Sequence, residues 1–268
     1  MEFRTLGRTG EKISTIGMGT WRIGVYSGQE ERDRQIRALR RGLELGINLI
    51  DTAEMYADGR SEELVGEAVG EARNKVFIAT KVSPGNLRRD SVIDACQRSL
   101  KRLGTSYIDL YQVHWPNPRI RISETMAAME DLVHEGKVRY IGVSNFDIQQ
   151  TNEAREALRK SELASNQVEY SLRNPGVESD ILPYCEDEKI TLIAYSPLAK
   201  GNIPQSMIPQ ALQTKYKMTA AQLMLNWVTR SDRVVAIPKS SNIKHMEENA
   251  SSVSVRLTEE EYRSFGDV

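Results

Sequence analysis

The feature that most restricts this 268-residue chain is an eightfold alternation between short aliphatic runs and amphipathic helical stretches. The runs predict strands at Ile16–Gly19, Ile47–Asp51, Val76–Lys81, Ile108–His114, Val138–Asn145, Ala164–Tyr170, Thr191–Ser196 and Val234–Ser240. Between them the apolar period becomes helical. Ile36, Leu39 and Leu43 recur at helix spacing and stop at Gly46; Ile93, Cys96, Leu100 and Leu103 do the same before Gly104. Met126, Met129 and Val133 mark a third helix, and Thr219/Gln222 and Thr258/Glu261 have capping-box spacing. Runs such as Leu192-Ile193-Ala194 and Val234-Val235-Ala236-Ile237 are apolar throughout, as parallel strands buried on both faces are.

Eight βα units with short connections and no linker predict one domain over 1–268, an α/β fold of the (β/α)8 TIM-barrel type, whose typical length is roughly 250. A doubly wound open sheet is the competitor. It would more usually carry a GxGxxG turn after its first strand, and the sequence has none. Phe3–Thr15 reads as a β-hairpin turning at Gly7-Arg8-Thr9-Gly10, placed to cap the barrel bottom, and the C-terminal loops are short.

Composition narrows the function classes. Lys and Arg number 36 against 37 Asp and Glu, a formal net charge of −1, which argues against a nucleic-acid or membrane-surface protein. The two cysteines, Cys96 and Cys185, fall in helical stretches with no CxxC or Cys/His spacing, and read as buried and reduced. No segment approaches the ~20 apolar residues of a membrane span, and the N-terminus has no signal-peptide core. A cytoplasmic protein, monomeric, is the expectation.

Chemistry in such barrels sits at the C-terminal strand ends. Those ends read Gly19-Thr20-Trp21, Asp51, Lys81, His114-Trp115, Ser144-Asn145, Gln167 with Glu169-Tyr170, Tyr195-Ser196 and Lys239-Ser240. A single polar strand end is commonly a turn former. Charged and imidazole groups that end otherwise apolar strands are better explained by convergence on one mouth.

Read in order, the segments Gly17-Met18-Gly19-Thr20-Trp21, Asp51-Thr52-Ala53-Glu54-Met55-Tyr56, Ile78-Ala79-Thr80-Lys81 and Asp109-Leu110-Tyr111-Gln112-Val113-His114-Trp115-Pro116 make the chain resemble an aldo-keto reductase. The likeness continues through Gly136–Phe146, Asn166–Tyr170, Tyr195-Ser196-Pro197-Leu198 and Ile237-Pro238-Lys239-Ser240, over essentially the whole length. It implies an NADPH-dependent reduction of aldehydes or ketones to alcohols.

Carbonyl reduction needs a hydride donor, a proton donor and groups that polarise the carbonyl. A tyrosine with a pKa near 10 is a poor acid at neutral pH; a nearby ammonium lowers that pKa, and an Asp can hold the ammonium in place. Asp51, Tyr56 and Lys81 offer that set. By themselves Asp51 and Lys81 could be a structural ion pair, and His114 a core histidine. The resemblance makes these four the catalytic tetrad: Tyr56 general acid, Lys81 and Asp51 tuning it, His114 orienting the carbonyl oxygen.

The resemblance also implies the cofactor positions. Ser144, Asn145 and Gln167 would hold the nicotinamide carboxamide, with Tyr195 stacked on the ring; amides and hydroxyls can both donate and accept. Ser196, Pro197 and Leu198 with the turn through Lys200 and Gly201 match the pyrophosphate loop, and Gly19, Thr20, Trp21 and Asp51 border the same cleft. Ile237, Lys239, Ser240, Ser241, Asn242, His245, Glu248 and Asn249 match the motif that grips adenine and the 2′-phosphate. An arginine usually stands where this chain has His245, so NADPH is expected to be preferred less strongly, with NADH usable.

Trp21, Tyr56, His114 and Trp115 should line the carbonyl substrate's vestibule, with Tyr170 a weaker candidate. The alternative is a nucleotide-sensing regulatory subunit like the potassium-channel β subunits, although no added partner-binding segment is evident. A metal-dependent hydrolase would need clustered histidines or carboxylates, and the three histidines are dispersed. The third, His134, reads as helix surface, the run Glu30–Arg34 as a solvated helix face, and Met207, Met218 and Met224 as packing.

Overall fold

The computed structural model describes residues 1–266. Strands β1 (Phe3–Thr5) and β2 (Lys12–Ser14) form the expected hairpin, with Phe3 opposite Ser14. Eight parallel strands follow, each paired with the next: β3 (Met18–Gly19), β4 (Leu49–Asp51), β5 (Phe77–Val82), β6 (Ile108–Val113), β7 (Val138–Ser144), β8 (Leu163–Glu169), β9 (Thr191–Tyr195) and β10 (Val234–Ala236). Parallel bridges Ile16–Ala236 and Gly19–Lys239 join the first strand to the last, and the Gly17 N–H donates to the Ala236 carbonyl at 2.8 Å. The sheet closes on itself, as the alternation predicted.

The helices wrap the outside: α1 (Gln29–Glu44), α2 (Arg60–Val69), α3 (Arg89–Leu103), α4 (Ile122–His134), α5 (Ile148–Ala157), α6 (Ile181–Asp187), α7 (Gln210–Tyr216), α8 (Ala220–Val228), α9 (Ile243–Ser251) and α10 (Glu259–Arg263). Capping boxes form at Thr219/Gln222 and Thr258/Glu261 as expected, and a third at Asp147/Gln150. Cys96 and Cys185 are free and buried, and burial pushes both thiols up to about 12. His134 is exposed at the end of α4, while Met218 and Met224 are buried. Among the described residues no helix is long and apolar enough to cross a membrane.

Most strands stop short of the expected ends. Asn145 and Ser196 have left-handed backbone (φ 61 and 50), which takes each out of its ladder. Pro238 lacks an N–H, so β10 ends at Ala236.

Two apolar layers hold the barrel. The inner one contains Leu49, Phe77, Ala79, Leu110, Ala164, Ile193 and Val235; the outer one fills the space between strands and helices. Leu6 and Ile13 of the hairpin belong to the inner layer, so the hairpin plugs the barrel bottom. Gly7 permits that seat. Its φ is +50, and a Cβ there would stand 2.9 Å from the Ala164 carbonyl oxygen. Arg4, 7% exposed, fastens the plug by donating to the carbonyls of Thr229 (2.5 Å), Ser231 and Val234.

Candidate active site

Four of the predicted residues meet at the open end. Asp51 ends β4, Lys81 lies near the end of β5, and His114 follows β6 with its N–H donating to the Val82 carbonyl at 3.0 Å. Tyr56 comes from the turn after β4. Ala57, Asp58 and Gly59 then run consecutively through the left-handed region (φ 51, 55 and 86), and α2 starts at Arg60. Two consecutive non-glycine residues in that region are uncommon. Here they turn the chain sharply immediately after the tyrosine.

Lys81 is 0% exposed and Asp51 2%. The ammonium donates to Asp51 Oδ1 at 2.6 Å, to the Thr52 carbonyl at 2.9 Å and to Tyr56 Oη at 3.4 Å. All three of its protons are thereby directed. Burial opposes the ammonium, but Asp51 and Tyr56 outweigh it and raise its pKa overall. His114 packs edge-on against Tyr56, ring centroids 5.7 Å apart. Burial, with a smaller push from Lys81, lowers the imidazole to about 3. It is neutral at any ordinary pH.

Lys81 does pull the Tyr56 pKa down, yet burial of the phenol is the larger effect and Asp51 adds to it, so the net shift is upward.

The amide group adjoins these residues. Tyr195 Oη donates to Asn145 Oδ1 at 3.0 Å, and Asn145 Nδ2 donates to the His114 carbonyl (3.0 Å) and Ser144 Oγ (2.9 Å). Gln167 Nε2 donates to Asp51 Oδ2 at 2.7 Å, tying that amide to the buried ion pair. Gln112, fully buried, lies 3.5 Å from the same oxygen and escaped the sequence reading. The alternation of strand faces could have found it, because Leu110, Gln112 and His114 fall on the same, inward face.

Trp21 and Trp115 stand at the rim, each 47% exposed, and Met55 beside Tyr56 adds an apolar side chain that sequence reasoning missed. Tyr170 does not join them. It is fully buried in the outer layer, its hydroxyl donating to Glu178 at 2.8 Å and accepting from Arg230 at 2.7 Å. The physical reason is face: Val168 and Tyr170 share the side of the chain that packs toward the helices.

The remaining predicted positions lie across the mouth. Ser196, Pro197, Leu198, Lys200 and Gly201 form a tight turn with left-handed backbone at Ser196, Ala199, Lys200 and Gly201. Ser240 Oγ bonds the backbone of Asn242, which caps α9 by accepting from the Lys244 N–H at 2.9 Å. Lys239 Nζ donates to Ser241 at 3.3 Å; Glu248 is half-buried and Asn249 buried on the same helix. His245 is exposed, with no hydrogen bond or ion pair among the described residues. Gly19 pairs beside Lys239, and a Cβ there would stand 2.5 Å from the Ile237 carbonyl oxygen, so only glycine fits.

A closed (β/α)8 barrel with a buried Asp–Lys pair behind a tyrosine and a neutral histidine defines the class of fold and site. The chain belongs to the aldo/keto reductase family, whose profile matches residues 15–268. It is 42% identical to methylglyoxal reductase YeaE of Escherichia coli over 254 residues, covering 93% of this chain and 88% of that protein. Among solved structures it resembles a thermostable aldo-keto reductase crystallised with epalrestat, at TM-score 0.91 and 39% identity, covering 98% of each chain. An aldo/keto reductase from Klebsiella pneumoniae, solved with NADP and acetate, superposes at TM-score 0.89 with 37% identity, over 98% of this chain and 94% of that one.

Proposed function

We propose that this protein reduces aldehydes or ketones to alcohols with NADPH, Tyr56 giving the proton. The observation that carries the reading is the Lys81 ammonium. Its three protons go to Asp51, Thr52 and the Tyr56 oxygen, so Tyr56 accepts from behind and its own O–H is left for the mouth.

The donor set fits a nicotinamide dinucleotide. Hydroxyl and amide groups that both donate and accept (Ser144, Asn145, Gln167) lie next to the phenol with the Tyr195 ring, while cations and a capped helix start lie at the far end of the cleft. What reduced nicotinamide contributes when bound is the hydride. The chain's residues do the rest. Tyr56 protonates the carbonyl oxygen as negative charge develops on it, Lys81 compensates the phenolate left behind, and Asp51 keeps Lys81 charged. Neutral His114 acts as a hydrogen-bond donor to the carbonyl oxygen, without adding charge.

Burial keeps Tyr56 protonated before reaction, and the Lys81 ammonium behind its oxygen opposes that upward shift by stabilising the phenolate as the proton leaves. The exposed aromatic rim, with Met55, suits small aliphatic or aromatic aldehydes and α-dicarbonyls, and the methylglyoxal reductase relative points the same way. NADH is a usable second donor, since His245 lacks a fixed positive charge toward the 2′-phosphate.

The test is NADPH oxidation against a carbonyl panel, comparing wild type with Tyr56→Phe. Turnover should fall roughly 100- to 10,000-fold while NADPH binding, read by fluorescence quenching, is unchanged. Full turnover in the variant would end this mechanism.

A further inference from the structure

Beneath the tyrosine turn three hydroxyl residues are fully buried: Thr20, Thr52 and Ser61. Thr20 follows β3, Thr52 follows β4, and Ser61 lies in the first turn of α2, so three separate segments bring them together. Thr20 Oγ1 donates to the Asp51 carbonyl at 2.9 Å. Ser61 Oγ donates to Thr20 Oγ1 at 2.8 Å, with the Thr20 carbonyl a longer acceptor at 3.3 Å. Thr52 Oγ1 stands 3.0 Å from Ser61 Oγ. A hydroxyl has one hydrogen to give. With those of Thr20 and Ser61 already placed, Thr52 must donate to Ser61. In the opposite sense the Thr52 hydrogen would be buried with no acceptor among the described residues, which costs more than such a bond contributes. The order from Thr52 to Ser61 to Thr20 to the Asp51 carbonyl therefore closes a ring on the adjoining residues 51 and 52.

That ring encloses the peptide that serves Lys81. Asp51 is the counterion of the ammonium, and the Thr52 carbonyl is its second acceptor at 2.9 Å. The Thr20 and Thr52 N–H groups donate to the Asp51 and Ala79 carbonyls at 3.0 and 2.8 Å, so β3 and β5 hold the peptide as well. Tyr56 sits midway round the turn from Ala53 to Arg60, and the Thr52–Ser61 bond clasps that turn at its base. Inside the turn Ala57 and Asp58 carry left-handed backbone, which persists only where the surroundings hold it. The loop after Thr20 presses on the same point: a Cβ on Gly24 would stand 2.8 Å from the Ser61 nitrogen.

We propose that Ser61 is a positioning residue for proton transfer: its hydroxyl, at the centre of the ring, fixes the Tyr56 oxygen at its 3.4 Å from the Lys81 ammonium. The proposal rests on the reading of Tyr56 as proton donor. Ser61 touches no reacting group and acts through Thr52 and the turn. Thr20 leads directly to Trp21, so the same ring sets the phenol and one side chain of the rim in a common frame.

Ser61→Ala removes the centre of the ring, and Thr52→Val removes its first donor with little change of shape. Single-turnover reduction of a panel aldehyde such as methylglyoxal by NADPH-loaded protein reads the chemical step, well below each variant's melting temperature. Both variants should lose about tenfold in rate, part of the roughly 100-fold that an ångström of misplacement can cost. The solvent deuterium isotope effect on that rate should grow, because transfer from Tyr56 becomes the slower step. NADPH affinity, read by fluorescence quenching, should stay within about twofold. The double variant should lose no more than either single one, since the ring fails as a unit. A lower melting temperature with unchanged rate and isotope effect would leave Ser61 a merely structural residue and overturn the assignment, as would losses that multiply in the double variant. Full turnover in Tyr56→Phe would instead overturn the proton-donor reading beneath it.

Discussion

The two ends of the cleft are built differently. At the tyrosine end the side chains are buried or half-buried and bonded to one another: Lys81 to three acceptors, Asp51 to Lys81 and Gln167, Asn145 to Tyr195 and Ser144. At the other end, where the adenosine half of the cofactor is proposed to lie, Lys239 and His245 are exposed, and His245 touches no polar partner among the described residues. A change at the first end disturbs the fold as well as the chemistry. A change at the second should alter only what binds.

Lys81→Met provides the largest expected contrast. Removing the ammonium leaves the Asp51 carboxylate buried and unpaired, at about 3–5 kcal/mol of stability, read by urea unfolding. Lys239→Met should stay within about 0.5 kcal/mol. Similar losses in the two variants would erase the distinction between the ends.

His114 should sharpen it through pH. Its imidazole is held at about 3, whereas an unfolded histidine titrates near 6.5. Below 6.5 the unfolded chain therefore binds one more proton than the folded one. The stability that neutral His114 contributes is complete above pH 6.5 and declines as pH falls toward 3. Between pH 7 and 5 the protein should lose about 1–2 kcal/mol, and His114→Gln should lose less. An identical decline in the variant would place the acid sensitivity elsewhere.

The smallest effect belongs to the exposed end. His245→Arg should tighten NADPH up to about tenfold by adding a fixed charge, with NADH affinity and the melting temperature nearly unchanged. Fluorescence titration reads both cofactors, and a parallel gain for NADH would show that position 245 does not face the 2′-phosphate.

Legibility in the sequence divides along the same line. The order of the strands and the convergence of Asp51, Lys81 and His114 follow from periodicity and from where apolar runs stop, which are properties of single segments. What was hidden turns on which face a residue takes and how deeply it packs. Gln112 looked like an ordinary strand residue until its face was fixed, and Tyr170 was misplaced for the same reason. The rise in the Tyr56 pKa depends on how deeply the phenol is packed, which no spacing reports.

The plug at the barrel bottom also dictates when this molecule can be finished. Arg4 is made long before its carbonyl partners at Thr229, Ser231 and Val234, which lie 225 to 230 positions later. During synthesis the hairpin must wait, its Leu6 and Ile13 without their full seat, until β10 has emerged. β10 and the hairpin lock together only then, so closing the barrel bottom joins segments some 230 residues apart late in folding.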